Sequence, residues 1–154
     1  MLIERLIVRK TVPTIEVIRD IRFNAKGLSL ILDNTSNRSQ DTGNNVGKTT
    51  ALKIIDLCLG GKSVRSLYYD PDTRSENTDI KKLLNDYKIE AELVLRRESK
   101  KVRIIRQLYN RGKRIINGKE YPQEEFWEKL KEIIFDLKEP YPTLRQLIPK
   151  FVRL

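Results

Sequence analysis

Residues 43–50 read Gly-Asn-Asn-Val-Gly-Lys-Thr-Thr. A lysine set directly between a glycine and a hydroxyl residue is an arrangement that grips phosphate. Successive backbone N–H groups curl around the phosphate oxygens, which demands a residue with almost no side chain beside the lysine. Lys48 then reaches the β- and γ-phosphates, and the Thr49 hydroxyl is placed for Mg²⁺. A helix that follows points its positive end at the same anion. The complete motif is glycine, four residues, then Gly-Lys-Ser/Thr. Thr42 stands where that first glycine belongs, and Gly43 comes one place late. Asn45 sits where such loops often carry a second glycine, and asparagine tolerates positive φ better than most side chains. The lead-in 34–43 (NTSNRSQDTG) is polar and longer than a phosphate loop needs, so it reads as an insertion. Arg38 within it can touch a phosphate or a neighbouring chain, or stay solvated.

A phosphate loop needs a strand before it and a helix after it. Residues 28–33 are an apolar run of strand length introduced by Gly27, and 49–59 form a helix-length run stopped by Gly60-Gly61. Upstream, 2–9 and 14–24 read as strands joined across Thr11-Val12-Pro13. The second would bury Ile15, Val17 and Ile18, continued by Ile21 and Phe23. Downstream, 60–77 is a polar surface loop, and Thr78 can cap a short helix. A β-meander follows. Residues 87–97 place Ile89, Ala91, Leu93 and Leu95 on one face with Lys88, Glu90 and Glu92 opposite. Residues 101–108 and 113–116 are the next strands, and Asn117-Gly118 is a two-residue hairpin signal. Pro122 opens a helix whose Phe126, Leu130, Ile133, Ile134 and Leu137 keep helical spacing. Pro140 to Pro142 break it, and Thr143 can cap a last segment, 144–154.

Composition narrows the chemistry. The 154 residues suffice for one domain with a core, since a chain of this size buries about 70% of its unfolded surface. No stretch approaches the roughly 20 apolar residues of a membrane span, and residues 1–8 lack the pattern of a signal peptide. There is no histidine and one cysteine, which excludes a zinc site and a histidine-based triad among these residues. Cys58 lies in an apolar helix and is expected to pack, in a reduced, cytoplasmic setting. Residues 96–114 hold Arg96, Arg97, Lys100, Lys101, Arg103, Arg106, Arg111, Lys113 and Arg114 against the single acid Glu98, so eight of the ten net positive charges lie there. Such a ribbon is either the electrostatic footprint of DNA or RNA, or a solvated hairpin face whose cations blunt an edge. No aromatic interleaving supports base stacking, so any contact would be to phosphate.

The order GLSLILD, then NNVGKTTALKIIDLCLGG, then a basic meander ending in RIINGKEY resembles the N-terminal half of an ATP-binding-cassette head of the SMC/RecN kind, over roughly 2–134. The resemblance implies an α/β (α+β layered) P-loop NTPase half-head. Its parts would be a mixed or antiparallel sheet with the P-loop and its helix (1–60), a surface loop and short helix (61–86), a basic meander (87–121) and closing helices (122–154). It implies that Gly43, Asn44, Asn45, Val46, Gly47, Lys48, Thr49 and Thr50 cradle ATP, with Thr49 on Mg²⁺. It also implies a glutamine that reaches the metal and the attacking water, for which Gln146 is the late candidate. Partners would be a C-terminal ATPase lobe, a second head on ATP binding, and DNA. Glu132-Ile-Ile-Phe-Asp136 is not a Walker B strand, because it lies inside the helical pattern and no acid follows Asp136. The Walker B and signature motifs are therefore expected beyond these residues, the chain being read as the N-terminal part of a larger ATPase that binds Mg·ATP with little turnover. A GTPase-like switch shares Asn-Val-Gly-Lys-Thr-Thr, but the chain has neither Asp-x-x-Gly after the loop nor Asn-Lys-x-Asp. A non-enzymatic nucleic-acid-binding module built on the basic ribbon is the other alternative.

Overall fold

In a computed structural model of the chain, described over residues 1–24, Ser29 and 47–151, alternating strands build one antiparallel sheet and amphipathic helices cover one of its faces. The strands are β1 (Leu2–Lys10), β2 (Glu16–Arg22), β5 (Glu90–Arg97), β6 (Lys100–Gln107), β7 (Arg114–Ile116) and β8 (Lys119–Glu120), in the order β2-β1-β5-β6-β7-β8. A small separate ribbon pairs β3 (Tyr69–Asp70) with β4 (Ser75–Glu76). The helices are α1 (Lys48–Cys58), α2 (Thr78–Asp86), α3 (Gln123–Phe135) and α4 (Leu144–Phe151). Every pairing among the described strands is antiparallel. The architecture is thus α+β. Apart from Ser29, the expected strand at 28–33 lies outside the described residues, as do Gly43, Asn44, Asn45, Val46 and Arg38.

Period-2 alternation decides which face each strand buries. Leu6 faces Leu93, Val8 faces Ala91, and Leu93 faces Ile104 across the sheet. All five are buried. Against this face pack Ile54, Ile55, Leu57 and Cys58 of α1, Leu84 of α2, Phe126 and Leu130 of α3, and Leu144 and Ile148 of α4. At about 1.5–3 kcal/mol for each large apolar side chain, this layer is the main source of stability. The expected set Ile89, Ala91, Leu93 and Leu95 is fully internal. Asn117 and Gly118 adopt φ 49° and 84° in the turn joining β7 to β8, as a hairpin turn of that type requires. Asn117 also anchors the turn: its N–H donates to the Arg103 carbonyl and its side chain accepts the Arg103 N–H, both at 2.8 Å.

Several expectations are corrected. Ile15, Val17 and Ile18 are 76%, 56% and 47% exposed: Ile15 precedes β2, and Val17 and Ile18 lie on β2, the outermost of the described strands, whose register shifts at a bulge between Val8 and Arg9. Only Ile21 and Phe23 of that segment pack on the core. The cap of α2 is Asn77, whose side chain accepts the Ile80 N–H at 3.0 Å, with Thr78 as the first helical residue. Residues 87–89 are the exit from α2 rather than strand, turned by Lys88 at φ 46°. Pro122 opens α3 as expected, standing at the N-cap position just before Gln123 with no side-chain capping bond. The expectation that Glu132–Phe135 belong to a helix and not to a Walker B strand is met, since they lie in α3. Among the described residues no helix is long and apolar enough to cross a membrane.

Candidate functional site

Gly47 is the first described residue of the phosphate-loop sequence. Its φ of 75° and ψ of 11° are left-handed, and from there the chain enters α1 directly. That conformation is cheap only for glycine, so the Gly-Lys-Thr order has a backbone reason. The Gly47 carbonyl accepts the Ala51 N–H at 2.9 Å and starts the helical ladder. Among the described residues no side chain caps this end, and the first turn carries no acid. The early N–H groups of a helix have no partner within it. Here they project beside Lys48, which is half-buried, and Thr49 and Thr50, which are exposed. Burial increases along α1: Ala51, Ile54, Ile55, Leu57 and Cys58 are held in the core. The arrangement is a helix anchored by its later turns that offers a lysine, two hydroxyls and a positive dipole at its free end. It could hold a polyphosphate and its Mg²⁺.

Gln146 is not brought to this end. Its carboxamide oxygen accepts the Thr143 N–H at 2.8 Å and the Thr143 hydroxyl at 3.1 Å, closing the start of α4. Beside it Arg145 pairs with Asp56 at 2.6 Å, and Leu144 lies 2.8 Å from where a Cβ on Gly60 would stand. Asp56 is eight residues, about 12 Å, along α1 from Lys48. A helix-starting role predicts that Gln146→Ala costs about 0.5–1 kcal/mol of stability and leaves ATP affinity unchanged. Urea unfolding and nucleotide titration of the same variant check both halves.

The basic ribbon does not form one surface. Alternation sends Arg106 to the core side with Val102 and Ile104, while Lys101 and Arg103 point to the other side. Most of its members are paired internally. Arg96 and Lys101 meet Glu4 at 3.5 and 2.7 Å, Arg97 meets Asp136 at 2.7 Å, Arg103 meets Glu92 at 2.6 Å, and Lys113 meets Glu120 at 2.8 Å. The hydrogen bond from Lys101 holds the Glu4 carboxyl below the usual carboxylate range. Arg114 donates to the Gln123 side chain at 2.9 Å. Lys100, at the start of β6, and Arg111, on the turn after it, are exposed.

Two groups stand out that periodicity does not announce as special. Glu92 is 2% exposed on the face opposite the helices, accepting from Arg9 at 3.0 Å and Arg103 at 2.6 Å. The long stems of these arginines cover it. Arg106 is also 2% exposed, and its Nε and Nη1 have no hydrogen-bond partner. Burial, reinforced by the Arg114 charge, pushes its guanidinium down to about 10. Strand parity, shared with Val102 and Ile104, is the signal that could have placed Arg106 inside. Cys58 is fully buried, and that burial pushes its thiol up to about 12. A thiolate is the reactive species, so a thiol-directed reagent at pH 8 is expected to label Cys58 only after denaturation. Among the described residues no group of His, Cys, Asp and Glu could hold a metal. No family model and no curated protein sequence matches the chain.

Proposed function

We propose that this chain is a Mg·ATP-binding lobe of an ATPase head of the SMC/RecN kind, acting in association with DNA and completed by a C-terminal lobe and a second head. The observation that carries the reading is Gly47 in the left-handed conformation at the free end of α1, with Lys48 and Thr49 on the first turn. Phosphoryl transfer asks the protein mainly for positioning and charge. Lys48 would neutralise the β- and γ-phosphates, Thr49 would reach Mg²⁺, and Thr50 and the preceding loop would complete the cradle. The groups that polarise water would come from the second lobe, so this chain binds nucleotide with little turnover. The exposed apolar edge of β2, with Ile15, Val17 and Ile18, is consistent with a further protein surface covering it.

Titration with a fluorescent ATP analogue, with and without Mg²⁺ and in competition with GTP, tests the reading. Saturable, Mg²⁺-strengthened binding displaced by ATP is expected. Steady-state hydrolysis at ordinary ATPase rates would overturn the half-site assignment, and preference for GTP would favour a switch.

DNA association has its own measure. Nine independent phosphate contacts would give a slope of log K against log salt near −8, at about −0.9 per contact. With the ribbon divided between two faces, a slope no steeper than about −4 is expected for duplex DNA. A flat response would remove DNA as an electrostatic partner.

A further inference from the structure

Arg106 is a positive charge held inside the protein with two of its three nitrogens unpaired. An uncompensated buried charge is strongly destabilising, and buried polar groups are otherwise almost always satisfied. Something should answer it. Arg106 lies at one wall of an open cleft of about 660 Å³, lined by the turn after α1, by α2 and by the loop from β6 to β7. Lys62, Arg65, Lys81, Arg111 and Arg114 also line it, and no carboxylate does so among the described residues. Glu76, outside the lining, offsets only part of this charge through its pairs with Arg65 at 2.7 Å and Lys81 at 2.8 Å. The wall is braced: the Asn85 side chain on α2 accepts the Asn110 N–H at 3.0 Å. The volume is that of a small-ligand site.

We infer that this cleft is an anion site for a phosphomonoester, with Arg106 as the buried anchor and Lys62 and Arg111 at its mouth. Guanidinium groups match the geometry of phosphate oxygens. A terminal phosphate can penetrate to a buried arginine. A backbone phosphodiester, flanked on both sides by sugar, is held at the surface. The site is separate from the proposed ATP site, because Lys62 follows the C-terminal end of α1 whereas Lys48 begins it, and the eleven residues of the helix span about 16 Å.

The experiment uses the full chain carrying Lys48→Ala, so that phosphate-loop binding is weakened and the two sites fail independently. Calorimetric and thermal-shift titrations are run at constant ionic strength with inorganic phosphate, AMP, and oligonucleotides bearing a 5′-phosphate or a 5′-hydroxyl. Saturable binding is expected, raising Tm by roughly 5–10 °C at a hundredfold excess over Kd. AMP and inorganic phosphate represent a free ligand. Selective binding of the 5′-phosphorylated strand would assign the phosphate to a nucleic-acid end. Arg106→Met should raise the ligand-free Tm and abolish the phosphate-induced shift. Lys62→Ala combined with Arg111→Ala changes only exposed residues and should weaken binding at least tenfold, which keeps the test decisive if Arg106→Met does not fold. Equal affinity for the two oligonucleotides with saturable binding of AMP or inorganic phosphate would support the site and assign it a free ligand; no saturable binding of any of these phosphates, or an equal shift in parent and Arg106→Met proteins, would overturn the inference.

Discussion

Lys48→Ala should weaken Mg·ATP binding roughly ten- to hundredfold relative to the unaltered chain. A hydrogen bond to a charged group contributes about 1.5–3 kcal/mol, and each 1.4 kcal/mol is tenfold in affinity, so the loss is roughly ten- to hundredfold. The lysine serves two phosphates, which places the expectation toward the upper end. The fold should not suffer. Lys48 stands at the free end of α1, and the core residues of that helix begin at Ala51. Substitutions away from packed or paired groups stay within about 0.5 kcal/mol, so circular dichroism and urea midpoints should match the parent. Thr49→Ala should instead remove the Mg²⁺-dependent increment and keep the weaker metal-free binding. Unaltered ATP affinity in Lys48→Ala would sink the phosphate-clamp reading.

Stranding the Glu92 carboxylate should be the most damaging change on the sheet face opposite the described helices. Arg9→Met with Arg103→Met removes both charged partners but keeps apolar stems over a carboxylate that is 2% exposed. Breaking a buried pair this way costs about 3–5 kcal/mol. Replacing the carboxylate has the opposite logic. Glu92→Met removes the charge that must be desolvated, and such replacements are often neutral or stabilising. Arg9 keeps Glu90 at 2.6 Å, and the Arg103 side chain, 66% exposed, returns to water. Chemical denaturation of the two proteins should therefore give changes of very different size. Comparable destabilisation by both would show that Glu92 contributes packing or attraction that outweighs its desolvation.

Much of the fold was legible because it rests on local patterns. The alternation that buries Ala91, Leu93 and Leu95, the helical spacing of Phe126 and Leu130, and the Asn117-Gly118 turn each follow from a few neighbouring residues. Failures came where a distant element decided the outcome. Ile15, Val17 and Ile18 have the pattern of a buried strand, yet β2 is the outermost of the described strands and a bulge on β1 shifts its partners. Gln146 is expected from the resemblance to reach a metal; in the fold its side chain closes the start of α4 on Thr143, beside the Arg145–Asp56 pair.

Charge shows the division most clearly. The order of residues alone determined that nine cations crowd into 96–114 and that a glycine, a lysine and a threonine stand together before an apolar helix. These are facts of composition and spacing, and the local conformations they favour need only nearby atoms. Only the tertiary structure decided which cations face which way. Sheet register brought Arg103 and Arg9 onto Glu92, and Arg97 found Asp136. Arg106 was carried inward beneath α1, near Cys58, to the wall of a cleft that three separate segments line. Pairing and burial depend on residues far apart in the chain, and that distance is why a ribbon continuous in sequence became separate features in space.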